Sequence, residues 1–231
     1  MPAATRLRVG GLSPHSSCDW PDQLVATVFA QGCPWACSYC HNPHLLAARG
    51  HDEIAWEEVL AFLSRRQGLL DGVVFSGGEP TLQPALGDAI ADVRALGFRV
   101  GLHTGGQFPE RLAALLPLVD WVGFDVKAPW AAYERITGVT GSGDEARLSL
   151  EGLASSGVPF EARTTVHPQL LSADDLGQLA DELVAVGVRR YAVQAFRPQG
   201  CAGDLPIASL SAADLPPGLA DRFDFFEFRE S

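Results

Sequence analysis

The sequence predicts an α/β fold, a partial (β/α)6 barrel, on the basis of two observations. Short apolar runs alternate with amphipathic stretches over most of the 231 residues. The apolar runs are nearly continuous, which is typical of strands buried on both faces of a parallel sheet that helices cover. Six βα units fit the pattern. They would leave the barrel incompletely closed, with an opening at its side.

The predicted strands are short segments rich in β-branched and aromatic residues: Leu24–Ala30, Gly72–Ser76, Phe98–His103, Trp121–Val126, Phe160–Val166 and Tyr191–Gln194. The predicted helices lie between them and repeat apolar residues at helical spacing: Ile54–Arg66, Pro84–Leu96, Pro109–Leu116, Glu145–Ser155 and Ser172–Val186. Ser172 is followed three residues later by Asp175, which predicts a capping box at the start of the last helix.

We expect a single domain over residues 1–231, with a core of about 20–198. Residues 1–19 should form an N-terminal extension and residues 199–231 a C-terminal tail, both packed on the core. The tail contains an apolar stretch at 222–229 that should dock on the barrel as an extended piece.

The charge balance argues against two classes of partner. Twenty-eight acidic and seventeen basic residues give a formal net charge of −11, which would repel phosphate backbones and anionic lipids. We therefore expect no nucleic-acid and no membrane partner. The longest clean apolar run, Leu24–Ala30, is far too short to span a bilayer, and residues 1–11 contain no apolar h-region of a signal peptide. The sequence thus predicts a cytoplasmic protein.

Three of the five cysteines crowd into eight residues directly after the first predicted strand. Cys33, Cys37 and Cys40 have the spacing C-x3-C-x2-C. Three thiolates on one short loop can hold three irons of a cubane cluster and leave the fourth iron without a protein ligand. Cys18 and Cys201 stand alone and are expected to be bystanders.

Two other uses of the cysteine motif stay open. With His41 or His44 the three cysteines could form a structural Cys3His zinc site. The segment from Cys37 to His41 also matches the C-x-x-C-H signature of c-type haem attachment. The haem alternative is disfavoured because the only methionine is Met1, so a methionine axial ligand is practically absent.

A second motif follows the second predicted strand, at the same expected rim of the barrel. The segment Ser76-Gly-Gly-Glu-Pro80 places free backbone groups and one carboxylate there. These groups could bind the ammonium of an amino acid. Alone, the motif is explained by a plain turn between strand and helix, but one βα unit after three clustered cysteines it predicts a cofactor site.

Lys127 is the only lysine, whereas the other sixteen basic residues are all arginine. It stands two residues after Asp125, so both side chains should point to the same side of a strand. A chain that otherwise uses arginine would keep lysine where a compact ammonium is needed. The alternatives are chance and a surface ion pair.

Together these motifs resemble the radical S-adenosylmethionine superfamily. Within it, the chain is most similar to the glycyl-radical-enzyme activating proteins, in particular the activators of anaerobic ribonucleoside-triphosphate reductase. The resemblance runs from about residue 11 to residue 198. It rests on these segments: Ser17-x-x-Trp20-Pro, Phe29-Ala-Gln-Gly-Cys33, Cys40-His-Asn-Pro43, Ser76-Gly-Gly-Glu-Pro80, Leu102-His-Thr104, Asp120-Trp-Val, Phe124-Asp-Val-Lys127 and Arg163-Thr-Thr-Val-His167.

The resemblance implies two cofactors, one [4Fe–4S] cluster and S-adenosylmethionine. Cys33, Cys37 and Cys40 would ligate three irons, and the amino and carboxylate groups of S-adenosylmethionine would chelate the fourth. The other cofactor-binding residues it implies are Tyr39 and His41 near the adenine, Gly77, Gly78 and Glu79 for the amino group, Asp125 and Lys127, His103 and Thr104, and Arg163 for the carboxylate. An ion pair within the protein is the alternative for Arg163.

One segment departs from the family pattern. Relatives of the pyruvate formate-lyase type carry Asp-Thr-Asn-Gly where this chain reads His103-Thr-Gly-Gly106. The cation site that the aspartate supports in those relatives is therefore in doubt here.

The implied function is reductive cleavage of S-adenosylmethionine to a 5′-deoxyadenosyl radical, which abstracts a glycine Cα hydrogen from a partner glycyl radical enzyme. The expected partner is anaerobic ribonucleoside-triphosphate reductase, and the expected electron donor is a flavodoxin or a ferredoxin. One alternative is a radical enzyme that acts on a small molecule. Another is a metal-stabilised binding module without catalysis.

Overall fold

The computed structural model describes residues 6–201, 205–206 and 208–230. Within them, one sheet contains eight strands in chain order: β1 Val9–Ser16, β2 Val25–Ala30, β3 Gly72–Gly77, β4 Arg99–Thr104, β5 Trp121–Asp125, β6 Phe160–Val166, β7 Arg190–Ala195 and β8 Phe225–Arg229. Neighbouring strands from β2 to β8 are parallel, and β1 is antiparallel to β2.

Six α-helices accompany the sheet: α1 Trp56–Ser64, α2 Leu86–Ala95, α3 Pro109–Leu115, α4 Tyr133–Thr137, α5 Ser142–Ser156 and α6 Ala173–Val186. Their apolar residues belong to the main core, together with apolar residues of the strands. The capping box at the start of α6 is confirmed, since the Ser172 side chain accepts from the Asp175 N–H and the Asp175 side chain accepts from the Ser172 N–H. None of the helices in the described chain has the length and apolar character needed to cross a bilayer.

The six predicted strands are confirmed as β2 to β7, with ends that differ by at most one residue. Two further strands extend the sheet beyond the prediction. β1 was missed because its sequence, Val-Gly-Gly-Leu-Ser-Pro-His-Ser, is poor in strand-forming residues. It lies at the edge of the sheet, where Pro14 is tolerated because its missing N–H breaks no central ladder.

The C-terminal tail supplies the other edge of the sheet. The predicted docking of residues 222–229 as an extended piece is confirmed by β8, which pairs in parallel with β7. Within the described residues β8 and β1 have no pairing with each other, so the barrel stays open between them.

A separate cluster of apolar side chains fills one end of the barrel. Trp20 stacks on Trp121 at 5.6 Å between ring centres, and both pack with Val25 and Val74. Val25 and Trp121 are the first residues of β2 and β5, so this plug lies toward the amino ends of the strands. The opposite rim, at the carboxyl ends, is left for a site.

Candidate active site

The cysteine loop, residues 33–40, follows β2 and is fastened to a distant part of the chain. The N–H of Ala36 donates to the carbonyl of Thr137 at 3.1 Å, and the N–H of Ser38 donates to the carbonyl of Ile136 at 3.2 Å. Both acceptors belong to the last residues of α4, where carbonyls lack partners within the helix. The loop therefore takes its shape from α4 as well as from its own sequence.

One pocket at the carboxyl ends of β2 to β6 brings the predicted site together. Twelve of the thirteen predicted site residues line it: Cys33, Cys37, Tyr39, Cys40, His41, Gly77, Gly78, Glu79, His103, Thr104, Asp125 and Lys127. The exception is Arg163, which lines a neighbouring cavity. Motifs that lie up to about ninety positions apart in sequence thus meet at one rim, because parallel strands end at the same edge.

The three thiols of the cysteine loop are free and half-buried. Burial raises the pKa of Cys33 to about 11 and also raises the pKa of Cys37, although the nearby Lys127 ammonium opposes the second shift. Within the described residues, no three His, Cys, Asp or Glu side chains lie close enough to hold one metal ion. Three free thiols on one loop that line one pocket match the three-thiolate donor set of a cubane whose fourth iron is left open.

The two glycines of the second motif are required by close packing against the start of the cysteine loop. A Cβ on Gly77 would lie 2.4 Å from the backbone N of Ala30, and Gly77 has a φ of +113°. A Cβ on Gly78 would lie 2.3 Å from the carbonyl oxygen of Gly32. Real side chains cannot occupy such positions, so the motif joins the end of β3 directly to the backbone that enters the cysteine loop.

Glu79 is a buried carboxylate that receives only neutral donors. Its Oε1 accepts from the N–H and hydroxyl of Thr81 at 3.0 and 2.5 Å and from the hydroxyl of Thr104 at 2.8 Å, while Oε2 accepts from the Gly105 N–H at 3.0 Å. Burial raises the pKa of Glu79, and these hydrogen bonds oppose the shift. Within the described chain it has no ion pair, and Oε2 keeps an unused acceptor position. This setting fits an incoming ammonium.

Lys127 and Asp125 face each other on the pocket wall. The Lys127 Nζ donates to Oδ2 of Asp125 at 3.2 Å and lies 5.9 Å from the ring centre of Tyr39. Burial lowers the pKa of Lys127, but Asp125 raises it well above its ordinary value. Burial raises the pKa of Asp125, but Lys127 and Arg163 bring it down to about 2. The Lys127 side chain is 16% exposed and that of Asp125 is 37% exposed, so the lysine end of the pair is largely buried while the carboxylate is partly open.

The Arg163 side chain bonds to another residue of the protein and does not line the first pocket. Its Nε donates to Oδ1 of Asp125 at 3.2 Å, which is the ion pair that the sequence left open as an alternative. Asp125 and Arg163 are register partners on β5 and β6, so the pairing follows from the sheet itself. Arg163 therefore shapes the pocket through Asp125.

His103 stands where some relatives carry an aspartate, and its ring is engaged on both sides. Nε2 donates to the carbonyl of Asp19 at 2.6 Å, and Nδ1 lies 3.2 Å from Oγ of Ser76. Burial lowers the pKa of His103 to about 4, and Arg163 acts in the same direction. A neutral imidazole held in this way supplies no anionic ligand for a cation.

A strap formed by residues 197–201 crosses the end of the cysteine loop. His41 Nε2 donates to the carbonyl of Arg197 at 2.9 Å, and Cys201 Sγ lies 3.4 Å from the carbonyl oxygen of Tyr39. Gly200 has a φ of +88°, and a Cβ there would lie 2.8 Å from the His41 carbonyl oxygen. The strap therefore fixes the backbone of the two residues predicted to face an adenine.

A second cavity adjoins the first pocket and shares His41 and Thr165 with it. It lies along the opening of the barrel, because residues that follow β1 and residues of β8 line it. Its lining is strongly polar, with four arginines and four carboxylates: Arg163, Arg190, Arg197, Arg229, Asp19, Asp22, Glu227 and Glu230.

Sequence reasoning missed seven residues of the first pocket: Trp35, Asn42, Leu46, Ser76, Gly105, Gln107 and Thr165. Most lie within three residues of a predicted site residue, so their nearness along the chain was a usable signal. The signal for Gln107 was weaker, because this residue lies three positions after the end of β4 and belongs to no motif.

Comparisons with known proteins agree with this architecture. A putative glycyl-radical enzyme activating enzyme of Methanocaldococcus jannaschii is 30% identical over 204 residues, which cover 83% of this chain and 80% of that protein. The pyruvate formate-lyase-activating enzyme of Clostridium pasteurianum is 34% identical over 166 residues, 68% of each chain.

Among solved structures, a radical SAM methyltransferase from Sphaerobacter thermophilus superposes with a TM-score of 0.67 at 16% identity, over 91% of this chain and 67% of that one. SuiB of Streptococcus suis, bound to its precursor peptide SuiA, gives a TM-score of 0.66 at 14% identity. The chain covers 48% of the SuiB chain, so it spans about half the length of that protein. These likenesses concern the fold.

The profile of the radical SAM superfamily matches residues 27–182, which include the cysteine loop, the Gly-Gly-Glu motif, Asp125, Lys127 and Arg163. The chain therefore belongs to the radical SAM superfamily, and its cofactors are one [4Fe–4S] cluster and S-adenosylmethionine.

Proposed function

We propose that the protein is an activating enzyme that generates the glycyl radical of a partner enzyme, and that the partner is anaerobic ribonucleoside-triphosphate reductase. The observation that carries the first part is the likeness to two proteins named as activating enzymes, which extends over 83% and 68% of this chain. The choice of the reductase rests on the sequence motifs that the chain shares with that group of activators. A flavodoxin or a ferredoxin would supply the electron.

Each of the thirteen predicted site residues has a role in this proposal. Cys33, Cys37 and Cys40 would hold the cluster, and S-adenosylmethionine would bind beside it through its amino and carboxylate groups. When bound, the two cofactors together supply one low-potential electron and a carbon-centred radical. Glu79 receives the ammonium on its free acceptor position, with Gly77 and Gly78 keeping the turn close to the loop.

The other side of the pocket orients the rest of the cofactor. Asp125 and Lys127 present one anionic and one cationic group, and Arg163 holds Asp125 in place. The backbone of Tyr39 and His41, fixed by the strap, lies where the adenine would be expected. His103 and Thr104 complete the wall, His103 as a neutral group and Thr104 through its hydrogen bond to Glu79.

The position of the second cavity supports the hypothesis that the substrate is large. It lies along the opening between β1 and β8 and reaches the first pocket at His41 and Thr165. A barrel that is open along its side leaves room for a loop of a partner protein to reach the pocket from that side. The open barrel therefore suits a glycine that is presented on a loop.

The polar lining of the same cavity favours a second candidate, a radical enzyme for a small polar molecule. Four arginines and four carboxylates offer many hydrogen-bonding groups to such a substrate. The two candidates share the cofactor chemistry and differ in what receives the radical.

The deciding experiment combines reductant, S-adenosylmethionine, the reconstituted protein and an anaerobic ribonucleotide reductase from the same cell. We expect a glycine-centred doublet in the electron paramagnetic resonance spectrum, and one 5′-deoxyadenosine for each glycyl radical formed. A reductase in which the radical glycine is replaced by alanine should show no doublet.

Two outcomes would overturn parts of the proposal. If another glycyl radical enzyme of the host gives the doublet and the reductase does not, the partner is wrong but the activating function stands. If 5′-deoxyadenosine accumulates with no glycyl radical on any of these enzymes, the activating function is wrong and the small-molecule candidate takes its place.

A further inference from the structure

Gln107 is a buried side chain that reaches the cysteine loop from the other side of the pocket. It lies in the segment after β4 and is 4% exposed. Its amide Nε2 lies 3.6 Å from Sγ of Cys33, a residue 74 positions away, and donates to that sulfur. No motif identified in the sequence includes Gln107.

The other end of the same amide has no partner. Oε1 of Gln107 is buried, and no hydrogen-bond donor in the described chain reaches it. A leucine would fill the same space without leaving a buried acceptor unpaired, so packing alone does not account for an amide here. The contact between Nε2 and the sulfur is the one interaction of this side chain that requires a glutamine.

The charged groups near the two sulfurs explain why Cys33, more than Cys37, benefits from a hydrogen-bond donor. The Cys37 sulfur lies near both the Lys127 ammonium and the Asp125 carboxylate, whereas the Cys33 sulfur lies near the Glu79 carboxylate and has the backbone N–H of Trp35 as its other donor. A thiolate at Cys33 therefore faces a negative neighbour and lacks the cation that Cys37 has. An amide N–H aimed at the sulfur offsets part of that repulsion.

We propose that Gln107 is a positioning residue that donates an N–H···S hydrogen bond to the Cys33 thiolate in the cluster-loaded protein and raises the reduction potential of the cluster. Hydrogen bonds to the sulfurs are among the factors that set the potentials of iron–sulfur centres. A donor stabilises the reduced cluster more than the oxidised one, because reduction adds one negative charge that is shared with the sulfurs. The bond would thus ease the electron transfer that starts each turnover.

The test compares wild-type protein with the Gln107→Leu variant, both reconstituted anaerobically and brought to equal iron content. Potentiometric titration, followed by electron paramagnetic resonance of the reduced cluster, should give a lower midpoint potential for the variant. At the potential where half of the wild-type cluster is reduced, the ratio of reduced to oxidised cluster should fall about threefold to tenfold, the effect of one net hydrogen bond.

The matched control is Gln83→Leu. Gln83 is also 4% exposed, but its amide donates to the carbonyls of Arg8 and Gln31 and contacts no sulfur. This variant should be less stable to heat and should keep the wild-type potential. If Gln83→Leu lowers the potential as much as Gln107→Leu does, the effect is one of general loosening and the proposal is wrong.

A second measurement reports on the hydrogen bond itself. In wild-type protein, exchange into deuterium oxide should shift an iron–sulfur stretching band in the resonance Raman spectrum, and Gln107→Leu should reduce that shift to the part that the Trp35 backbone N–H supplies. Gln107→Met, which keeps a similar length but has no hydrogen to donate, should reduce the shift equally and should also lower the potential. Absence of the shift in the wild-type protein, or an unchanged potential in an iron-loaded variant, would overturn the proposal.

The proposal rests on Cys33 as a cluster ligand and not on the identity of the partner. The two failures are distinguishable. A Cys33→Ala variant that still binds a full cluster would refute the ligand assignment, whereas unchanged potentials in iron-loaded Gln107 variants refute only the hydrogen bond.

Discussion

The ammonium of Lys127 lies 3.2 Å from Oδ2 of Asp125, and this pair sits on the wall of the first pocket. We expect Lys127→Arg to weaken S-adenosylmethionine binding about tenfold, because a longer planar guanidinium does not fit a place shaped for a compact ammonium. Equilibrium dialysis of the reconstituted variant measures the affinity. Arg189→Lys, at a side chain that is 84% exposed, is the control and should bind as the wild type does. If Lys127→Arg binds S-adenosylmethionine as tightly as the wild type does, any cationic side chain suffices at this position.

The cluster assignment predicts a simple stoichiometry. Protein reconstituted anaerobically should hold about four irons and four sulfides per chain, because one cubane is bound. Replacement of Cys33, Cys37 or Cys40 by alanine should abolish this content. Replacement of the exposed Cys18 should leave it unchanged. Zinc in place of iron, or an equal loss in the Cys18 variant, would contradict the assignment.

Gly78→Ala should damage the fold at the base of the cysteine loop. The added Cβ would lie 2.3 Å from the Gly32 carbonyl oxygen, so the backbone of one segment has to move. We expect a loss of about 1–3 kcal/mol in the free energy of unfolding, the usual effect of overpacking. Urea denaturation of the cluster-free protein measures it.

The control for this variant is Gly152→Ala. Gly152 lies inside α5, and a Cβ there would meet nothing within 4 Å. It should raise the free energy of unfolding by up to about 1 kcal/mol, because alanine is the better helix former. A Gly78 variant as stable as wild type would mean that the close approach of β3 to the cysteine loop is dispensable.

The capping box of α6 gives a prediction for stability and its pH dependence. Ser172→Ala should lower the free energy of unfolding by about 1 kcal/mol, since the side chain accepts from the Asp175 N–H. Burial raises the pKa of Asp175, but its hydrogen bonds with Ser172 bring it below the ordinary value. The contribution of Asp175 is therefore present above the ordinary aspartate pKa and is lost as the pH falls through the lowered one.

Denaturation of wild type and the Ser172 variant at neutral and at acid pH measures both effects. The difference between the two proteins should shrink on acidification, because protonation of Asp175 weakens the bond that its carboxylate accepts from the Ser172 hydroxyl, whereas the bond from the Asp175 N–H to that hydroxyl remains. Ser155→Ala is the control, since Ser155 lies inside α5 and only bonds back to the Glu151 carbonyl. A pH-independent difference would contradict the role of Asp175.

Much of the fold could be predicted because burial leaves a clear apolar pattern in the sequences of β2 to β7. These strands are buried on both faces, so their apolar runs are continuous and their ends are sharp. β1 has one side at the sheet edge and contains two glycines and a proline, so no apolar run marks it. The short helix α4 was missed because its five residues give too little periodicity to recognise.

The part of the site that could be predicted consists of residues that directly follow parallel strands, because these residues meet at the same rim of the barrel. Cys33, Glu79 and Lys127 each follow a parallel strand, and parallel strands end on one side. The pairing of Arg163 with Asp125 depends on the relative register of β5 and β6, which single strands do not encode. The position of Gln107 depends on the path of the loop after β4, so its contact with Cys33 could be found only from the three-dimensional structure.

The way in which the cysteine loop is fastened has a consequence for how the protein is made. Two carbonyls near the end of α4 and the strap at 197–201 supply its long-range anchors, and the strap bond to His41 joins residues 156 positions apart. During translation at about 5–20 residues per second, Cys201 leaves the peptidyl-transferase centre roughly 8–32 s after Cys40. For that interval the three thiols belong to a nascent chain that lacks the parts that hold their loop. Iron and sulfide that arrive after residue 201 has been made would meet a loop with all of these anchors present, whereas oxidation of the thiols before then would compete with maturation.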